Sequence, residues 1–400
     1  MDRARETRKM GSFRQITRRS LSSLTKSPFT LPPPKLISTP DRIGEERIPW
    51  YDSSGFYPAK PGDVLADRYQ ILVKVGWGSS STVWLARDTR NGPDEEMLST
   101  LKINTADNNT SERERELEQH TEKAASETTQ GKHLYFVYEP MRETFSRFQT
   151  RFVNSVIPFH ILKIYLMVLL QALDRLHTTC NVVHSDLKVN NIMISFEDPA
   201  VFGDFMTKQP EEPAEYKVDA AGRSIFRSRN EFGPLRPSWR SMVPRIIDFG
   251  SALQLHGETG RGLFPIQAPP YRAPEVTLGF PWNRGADIWS LGTLDMAQDS
   301  ELFQQAYGAN RMYDAESHLA EMIALLGPPP SSMIAESHAT LARKFLHDHL
   351  IPDRRIEDTL PLLEDEAKKE LLAFAKRMLV WDHEERATAR ELLEDPFMKL

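Results

Sequence analysis

Two short polar motifs constrain this chain more than any other feature. Residues 184–191 are His-Ser-Asp-Leu-Lys-Val-Asn-Asn, and residues 248–250 are Asp-Phe-Gly. Transfer of a phosphoryl group from ATP needs an acid to accept the proton of the substrate hydroxyl and a lysine on the moving phosphate. It also needs an amide and a second acid to hold Mg²⁺. Asp186, Lys188, Asn191 and Asp248 supply these groups, so the motifs predict phosphoryl transfer and a fold that holds both loops at one site.

The composition narrows the class of protein. The chain has 400 residues, enough for one large or two ordinary domains, and 40% of them are hydrophobic, which supports a sizeable core. No apolar run reaches the ~18 residues of a transmembrane helix, so we expect no membrane partner. The net charge of −6 gives no general attraction to nucleic acid, so we expect no direct binding to it. The single cysteine, Cys180, excludes an internal disulfide and is typical of the reducing cytoplasm or nucleus.

The first 60 residues differ from the rest of the chain. Residues 1–26 contain eight Lys or Arg against Asp2 and Glu6, and residues 28–34 are rich in proline. This composition predicts a disordered basic arm with a Pro-rich linker over residues 1–60. A mitochondrial transit peptide is also basic, Ser-rich and poor in acids, so mitochondrial targeting is a second interpretation.

Hydrophobic patterning beyond residue 60 predicts an α+β fold in which a strand-rich part precedes a helical part. A long amphipathic helix leads directly into the first motif. The predicted strands are 69–75, 82–87, 97–103, 134–138, 191–195 and 243–247. The predicted helices are 111–126, 160–177, 286–296, 315–326, 366–379 and 389–393.

The first predicted hairpin contains a glycine-rich turn. Gly76 and Gly78 let a phosphate approach the backbone closely, with Ser79 in the turn itself, and Val83 can cover a purine ring. Ser81 stands where a Gly-x-Gly-x-x-Gly pattern has its third glycine. Many Gly/Ser turns bind nothing, so the hairpin alone is weak support for a nucleotide site.

Lys102 ends the next predicted strand, and the charged helix that follows offers acids to pair with it. Glu116 is the first candidate partner and Glu114 the second, because this helix has an acid at nearly every turn. A solvated charged face is the alternative interpretation of most of these acids.

Five segments together identify a family resemblance. They are 76–86, 183–188, 248–250, Tyr-Arg-Ala-Pro-Glu at 271–275 and Ala-Asp-Ile-Trp-Ser-Leu-Gly at 286–292. On these motifs the chain resembles a eukaryotic protein kinase over about residues 65–400, and it is most similar to fungal members of the SR-protein-kinase group. The resemblance implies a bilobal α+β fold with a small β-rich N-lobe at 61–141 and a large, mainly helical C-lobe at 142–400. It also implies a protein serine/threonine kinase that uses ATP and Mg²⁺.

The resemblance assigns roles to the residues that match the motifs. Lys102 would bind the α- and β-phosphates, Asp186 would be the catalytic base, and Lys188 would stabilise the transferred phosphate. Asn191 and Asp248 would hold Mg²⁺.

The same resemblance assigns adenine contacts and two structural contacts. Tyr138 would be the gatekeeper, Glu139 and Met141 would present the hinge backbone to adenine, and Met193 would form the floor of the pocket. Asp287 would hold the backbone of the catalytic loop, and an ion pair would join Glu275 to Arg386.

Ser185 departs from the usual motif, because kinases that are switched by phosphorylation have an arginine there. That arginine normally binds the phosphate of the activation loop. Its replacement predicts activity that does not depend on such phosphorylation.

The stretch of about 197–242 is an insert between the two motifs. It is acidic in its first half and rich in arginine in its second. A solvated loop is one interpretation, and a docking surface or regulatory flap is the other.

The segment between Glu116 and Glu139 is short and shows one good strand where the fold needs two. The central helix after Asp287 is short as well. These departures keep open a second function, a pseudokinase or scaffold with the kinase fold and impaired catalysis. A third interpretation, a small-molecule phosphotransferase, conflicts with the Ala-Pro-Glu motif, which builds a platform for protein substrates.

The resemblance implies protein substrates, and specifically Arg/Ser-rich proteins of the splicing type. An acidic large lobe would suit such arginine-rich peptides. We expect a monomer.

Overall fold

The computed structural model describes residues 31–90, 98–106, 122–128, 131–255, 260–293, 296–298, 300–336 and 350–399; at 122–128, 131 and 335–336 it describes the backbone alone. The chain divides into two compact units. The first comprises residues up to 111, 120–142 and 196–241, and the second comprises 112–119, 143–195 and 242–400.

The elements alternate in the order expected for an α+β protein. The strands are β1 (Lys35–Leu36), β2 (Val64–Leu65), β3 (Tyr69–Gly78), β4 (Ser81–Asp88), β5 (Leu98–Asn104), β6 (Glu122–Thr128), β7 (Gly131–Tyr138), β8 (Glu143–Thr144), β9 (Val182–Val183), β10 (Ile192–Ile194), β11 (Glu215–Val218), β12 (Ser224–Phe226), β13 (Pro244–Ile246) and β14 (Leu253–Gln254). The α-helices are α1 (Phe145–Gln149), α2 (Phe159–Thr178), α3 (Pro199–Lys208), α4 (Pro274–Leu278), α5 (Gly285–Gly292), α6 (Ala315–Leu326), α7 (Ser331–Glu336), α8 (Asp365–Ala375) and α9 (Ala389–Leu393).

The first unit is built on an antiparallel sheet with the strand order β2-β3-β4-β5-β7-β6. Alternate residues of β3 and β4 belong to two separate apolar clusters, since successive side chains of a strand point to opposite faces. Ile71 and Trp84 lie in one cluster, and Leu72 and Leu85 lie in the other. Burying a side chain of this kind stabilises the fold by about 1.5–3 kcal/mol. The sheet therefore needs apolar cover on both of its faces.

The insert supplies much of that cover and is not a solvated loop. Helix α3 contributes Phe202 and Phe205 to the cluster of Leu72, while β12 contributes Phe226 to the cluster of Trp84. Strands β11 and β12 form a hairpin, and β1 pairs with β11 in parallel. The expected boundary of a C-lobe at 142–400 therefore changes, because residues 196–241 belong to the first unit.

The N-terminal segment also differs from the expected disorder of residues 1–60. Residues 1–30 lie outside the described residues, but residues 35–36 form β1, and short 3-10 helices occupy Glu45–Arg47 and Ser53–Gly55. Ile48, Phe56 and Ala59 are buried. Polar and proline-rich composition predicted a linker, and long-range burial of these few apolar residues overrides it.

The second unit is mainly helical and has α2 at its centre. Leu162, Tyr165, Leu166, Leu169 and Leu173 of α2 are buried, as the apolar spacing predicted. After α2, strand β9 pairs with β14, and β10 pairs with both β13 and β8. These short pairs fix the two ends of the loop at 184–191. No helix within the described ranges combines the length and apolarity needed to cross a bilayer.

The region before the hinge corrects two expectations. Residues 122–126 belong to β6, so the predicted helix at 111–126 is wrong there, and the rest of that prediction lies outside the described residues. β6 pairs with β7 from Glu122–Val137 to Thr128–Gly131, so this segment provides two strands and not one. Pairing within a sheet outweighs the weak strand propensity of such a charged sequence.

Two of the predicted helices after residue 270 have the expected bounds, and two others end earlier than predicted. Ala315–Leu326 and Ala389–Leu393 are confirmed at both ends, and a helix at Asp365–Ala375 replaces the predicted 366–379. α5 ends at Gly292 and not at residue 296, in agreement with the expectation of a short central helix.

Candidate active site

The loop between β9 and β10 holds three of the predicted site residues in one hydrogen-bonded group. Lys188 Nζ donates to both carboxylate oxygens of Asp186, at 3.0 and 2.8 Å. Asn191 Nδ2 donates to Asp186 Oδ2 and to the Asp186 carbonyl, both at 2.8 Å. The side chains of Lys188 and Asp186 keep 28% and 23% of their surface exposed, so both stay within reach of a substrate.

Asp287 of α5 holds this loop in place, as the resemblance implied. Its carboxylate accepts the backbone N–H groups of His184 at 2.8 Å and Ser185 at 2.9 Å, and it contacts His177 Nε2 at 2.9 Å. Burial alone would raise the pKa of Asp287. The hydrogen bond and charge of His177, the charge of His184 and the backbone donor lower that pKa below its ordinary value instead. Asp287 is therefore an ionised, fully buried anchor for the start of the loop.

The second motif lies beside the first through the pairing of β10 with β13. Ile192 is opposite Ile246, and Ile247 N donates to the Asn191 carbonyl at 2.9 Å. Asp248 follows with the left-handed backbone angles φ 66° and ψ 70°. A non-glycine residue in this region is strained, and such strain persists where the surroundings enforce it, often at functional sites.

Asn191 and Asp248 have the donor chemistry of a magnesium site. Mg²⁺ prefers carboxylate and carbonyl oxygens and binds proteins through few side chains plus substrate phosphates. Because Asn191 Nδ2 is bound to Asp186, its amide oxygen is the atom left for a cation. Among the described residues there is no cluster of three or more His, Cys, Asp or Glu that suits a metal, so a cation here would need phosphate ligands as well.

Besides the bond from its N–H to Asp287, Ser185 is held by hydrogen bonds to uncharged backbone groups. Its backbone has a φ of 64°, its Oγ donates to the Ser251 carbonyl at 2.6 Å, and its carbonyl accepts Gln267 N at 2.9 Å. The loop that precedes Ala-Pro-Glu is thereby attached to the catalytic loop without an arginine.

Gln267 has a role that the sequence interpretation missed. Its buried side chain donates from Nε2 to Ala286 O and Ser290 Oγ, both at 2.9 Å, and accepts Ala273 N at 3.0 Å. Its φ is 67°, in the left-handed region. The only sequence signal was a long amide residue directly before Ala268 and two prolines. Gln267 joins the loop that precedes Ala-Pro-Glu to α5 through neutral hydrogen bonds.

The predicted ion pair of Glu275 and Arg386 is present in the structure. Arg386 Nη1 and Nη2 donate to the two carboxylate oxygens of Glu275 at 2.8 and 3.0 Å, and both side chains are fully buried. A bidentate pair of this kind fixes α4 by geometry as well as by charge.

The first unit places its site residues on adjoining strands. Gly78 pairs with Ser81 across the turn that contains Ser79, Gly76 pairs with Val83, and Val83 pairs in turn with Lys102. Gly76, Val83 and Lys102 thus form one row across β3, β4 and β5.

Neither glycine of the turn is required by its protein surroundings. A Cβ added at Gly76 would lie 3.7 Å from Val83 Cβ, and one added at Gly78 would lie 3.6 Å from Ser81 Oγ, which are ordinary contacts. Neither residue has a positive φ. Close approach of a ligand to the backbone is a remaining reason for glycine at these positions.

The remaining predicted residues fall on or beside described strands. Tyr138 ends β7, Glu139 and Met141 follow it, and Met193 lies in β10 of the second unit. Glu116 and Glu114, the candidate partners of Lys102, lie outside the described residues.

Comparison with known proteins agrees with this geometry. A family model described as the protein kinase domain matches residues 69–398. A serine/threonine protein kinase of Aspergillus fumigatus is 33% identical over 420 residues, which cover 97% of this chain and 99% of that protein. The serine/threonine-protein kinase SRPK of Physarum polycephalum is 30% identical over 390 residues, which cover 87% of this chain and 90% of that protein.

The fold has a match among solved structures. A crystal structure of a kinase domain superposes with a TM-score of 0.58 at 20% identity, covering 87% of this chain and all of that one. The α+β kinase fold is therefore confirmed, with a sheet-rich first unit and a helical second unit. The chain belongs to the protein kinase family, as a serine/threonine kinase of the SR-protein-kinase-like group whose substrate is a protein.

Proposed function

We propose that this kinase transfers the γ-phosphate of ATP, with Mg²⁺, to serine or threonine hydroxyls in Arg/Ser-rich proteins. The bonded group of Asp186, Lys188 and Asn191 supports the reaction most strongly. It combines a fixed proton acceptor with a cation beside it and an amide oxygen for a metal.

In this proposal the side chains of the second unit perform the chemical step. Asp186 accepts the proton of the substrate hydroxyl, and Lys188 neutralises charge that develops on the transferred group. Asn191 and Asp248 would hold Mg²⁺, which neutralises charge on the phosphates when bound. Positioning is the main contribution of the protein, and Asp287 provides it by fixing the loop backbone.

The first unit contributes residues for the nucleotide. Gly76 and Gly78 would present backbone N–H groups to the phosphates, and Lys102 would pair with the α- and β-phosphates. The hinge at Glu139 and Met141 would bind adenine. The scaffold alternative rested on a missing strand and on a short central helix. The pairing of β6 with β7 supplies the strand, which supports the kinase reaction, whereas α5 is short as expected.

The substrate class rests on the likeness to the Physarum protein, which is named an SRPK. An Arg/Ser-repeat peptide is therefore the first substrate to test.

Purified protein with ATP, Mg²⁺ and that peptide tests the reaction. We expect Asp186→Ala to lower kcat by about 10²–10⁴-fold, since this is the usual contribution of a positioned base. Asp174→Asn is the control, because Asp174 forms an exposed pair with Arg390 on the same unit. Equal turnover in wild type and Asp186→Ala would contradict the proposed chemistry.

A matched peptide with glutamine in place of every arginine tests the substrate class separately. We expect kcat/KM to fall by about tenfold or more, which corresponds to roughly 1.4 kcal/mol of lost transition-state binding. Equal kcat/KM for both peptides would remove the Arg/Ser preference and leave the kinase assignment intact.

A further inference from the structure

The insert is attached to the first unit by a buried ion pair at its base. Arg142 Nη1 donates to both carboxylate oxygens of Glu197 at 3.0 Å, and Arg142 Nη2 donates to the Gly233 carbonyl at 2.6 Å. Both charged side chains are fully buried. Glu197 lies at the start of the insert and Gly233 near its end. The guanidinium of Arg142 therefore binds both ends of the insert, and Arg142 directly follows Met141 in the chain.

A second buried charged group includes Arg223, which lies between β11 and β12 in the middle of the insert. Glu45 accepts Lys74 Nζ on one carboxylate oxygen and Arg223 Nη1 at 2.6 Å on the other. The three residues are 0%, 2% and 7% exposed. Glu45 belongs to the N-terminal segment, Lys74 to β3 and Arg223 to the insert hairpin, so this ion triad joins three distant parts of the chain.

The charges in the ion triad depend on one another. Burial alone would raise the pKa of Glu45, but the charges of Lys74 and Arg223 hold it below its ordinary value. Asp219 accepts the hydroxyl of Tyr51 at 2.9 Å, and this hydroxyl in turn accepts Arg223 Nη1 at 3.2 Å. Glu45 is thus the buried, ionised centre of this polar group.

Lys74 of the ion triad lies where the hydrogen-bond ladder between β3 and β4 is irregular. The register with β4 shifts between Lys74 and Gly76, which is the signature of a bulge. A bulge leaves backbone groups of the ladder unpaired. The carbonyl of Lys74 is satisfied by the insert, since Arg229 N donates to it at 2.7 Å. The segment directly before the glycine-rich turn is therefore fixed by the insert and by Glu45.

We propose that Glu45 and Arg223 are positioning residues for the glycine-rich turn, because they hold Lys74 and the bulge of β3 from which residues 76–81 project. This inference rests on the proposed use of ATP. If the anchor is removed, the turn samples more conformations, and ordering it again opposes nucleotide binding. The effect belongs to nucleotide affinity and not to the chemical step.

The variant Glu45→Gln tests this by titration of the full chain with ATP and Mg²⁺ and by turnover of the Arg/Ser peptide. We expect the Kd for ATP to rise by about tenfold, equivalent to roughly 1.4 kcal/mol, with kcat at saturating ATP within about twofold of wild type. Glu215→Gln is the matched control. Glu215 pairs with Arg227 at 2.9 Å in the same hairpin, but that pair is exposed, so both constants should stay unchanged.

Loss of one partner from a buried ion group can prevent folding, so a second variant is needed. Glu45→Gln with Lys74→Met removes one charge of each sign, so the net charge of the group is unchanged, and the Tyr51 hydroxyl remains as an acceptor for Arg223. In either folded variant, we expect amide hydrogen exchange to become faster at residues 74–83 and to stay unchanged in β5 and β7.

A folded variant with wild-type Kd and wild-type exchange at 74–83 would overturn the positioning role. Uniformly faster exchange across the whole sheet would also overturn it, because that is the result of a general loss of stability. Wild-type protein that binds no ATP would refute the proposed function instead, and the local exchange difference would then decide the positioning role alone.

Discussion

Each unit contains a fully buried, ionised carboxylate, and the two carboxylates differ in what neutralises them. Asp287 is bound by two backbone N–H groups of the catalytic loop and by His177. Glu45 is bound by the ammonium of Lys74 and the guanidinium of Arg223. Asp287 therefore fixes the shape of one loop, whereas Glu45 fixes which distant segments lie together.

The difference has an energetic consequence. Backbone donors are already ordered by the loop, so Asp287 gains its hydrogen bonds at little cost in side-chain entropy. Glu45 requires three charged side chains to leave water, and such a cost is often not recovered by their attraction. The contact at Asp287 is thus suited to a site that must be rigid. The contact at Glu45 is suited to specifying an arrangement of segments.

The largest expected effect comes from Asp287→Asn. An amide at this position supplies one acceptor oxygen and places an N–H₂ group against the donors of His184 or Ser185. We expect a loss of about 3–5 kcal/mol in the free energy of unfolding, as for other broken buried charge contacts. We also expect kcat to fall by more than about tenfold, since Asp186 loses its alignment. Urea unfolding and steady-state kinetics measure the two effects.

The control for this prediction is Asp174→Asn in α2, whose exposed contact with Arg390 should be worth less than about 1 kcal/mol. A variant at Asp287 that matched this control in stability and in kcat would show that the loop keeps its shape without the acid. The distinction between the two buried carboxylates would then disappear.

The stability of the protein at acid pH depends on both carboxylates, and a variant at Glu45 measures the contribution of that one. The pKa of each is lowered in the folded state, so its stabilising contribution is present above the unfolded value of about 4 and is lost as the pH falls through the folded pKa. The variant with Glu45→Gln and Lys74→Met should therefore lose less stability than wild type below pH ~4. The difference should be at most about 1.4 kcal/mol per pH unit.

The measurement is urea unfolding at a series of pH values from neutral to acid, with Glu215→Gln as control. His318 adds a separate acid-sensitive contribution, because burial, together with the charge of Arg272, lowers its pKa to about 3. That contribution is the same in all three proteins and cancels in the difference. Parallel curves for wild type and the Glu45 variant would mean that Glu45 is not held ionised by its partners.

The same contrast explains how far the sequence alone predicted the site. Asp186, Lys188 and Asn191 lie within six positions, so one motif defines their contacts. Asp287 is distant in sequence, and its contact with the loop was implied by the family resemblance, because it lies in the matching segment at 286–292. The contact of Glu45 with Arg223 spans 178 positions and has no local pattern. Periodicity and motif spacing report local geometry, whereas this contact exists only after the fold has formed.

The insert shows that the order of charges along the sequence also does not reveal which charges pair in the fold. Its acidic and basic halves suggested a docking surface for a basic substrate. In the structure the halves pair with each other, as Arg236 does with Asp198 and Asp204, and as Arg227 does with Glu215. Charge segregation along the sequence became charge pairing within one folded segment.

The smallest expected effect is the response to a phosphatase. Ser185 stands where an arginine would bind a phosphate, and Gln267 holds the loop that precedes Ala-Pro-Glu through uncharged hydrogen bonds to Ala286 O and Ser290 Oγ. Treatment with a protein phosphatase should therefore leave kcat/KM for the Arg/Ser peptide within about twofold. Gln267→Ala should lower it by more than about fivefold, since loss of neutral hydrogen bonds of this kind costs about 0.5–1.5 kcal/mol each. Activity that falls on dephosphorylation and persists in Gln267→Ala would reverse this assignment. A bound phosphate, and not Gln267, would then hold the loop that precedes Ala-Pro-Glu.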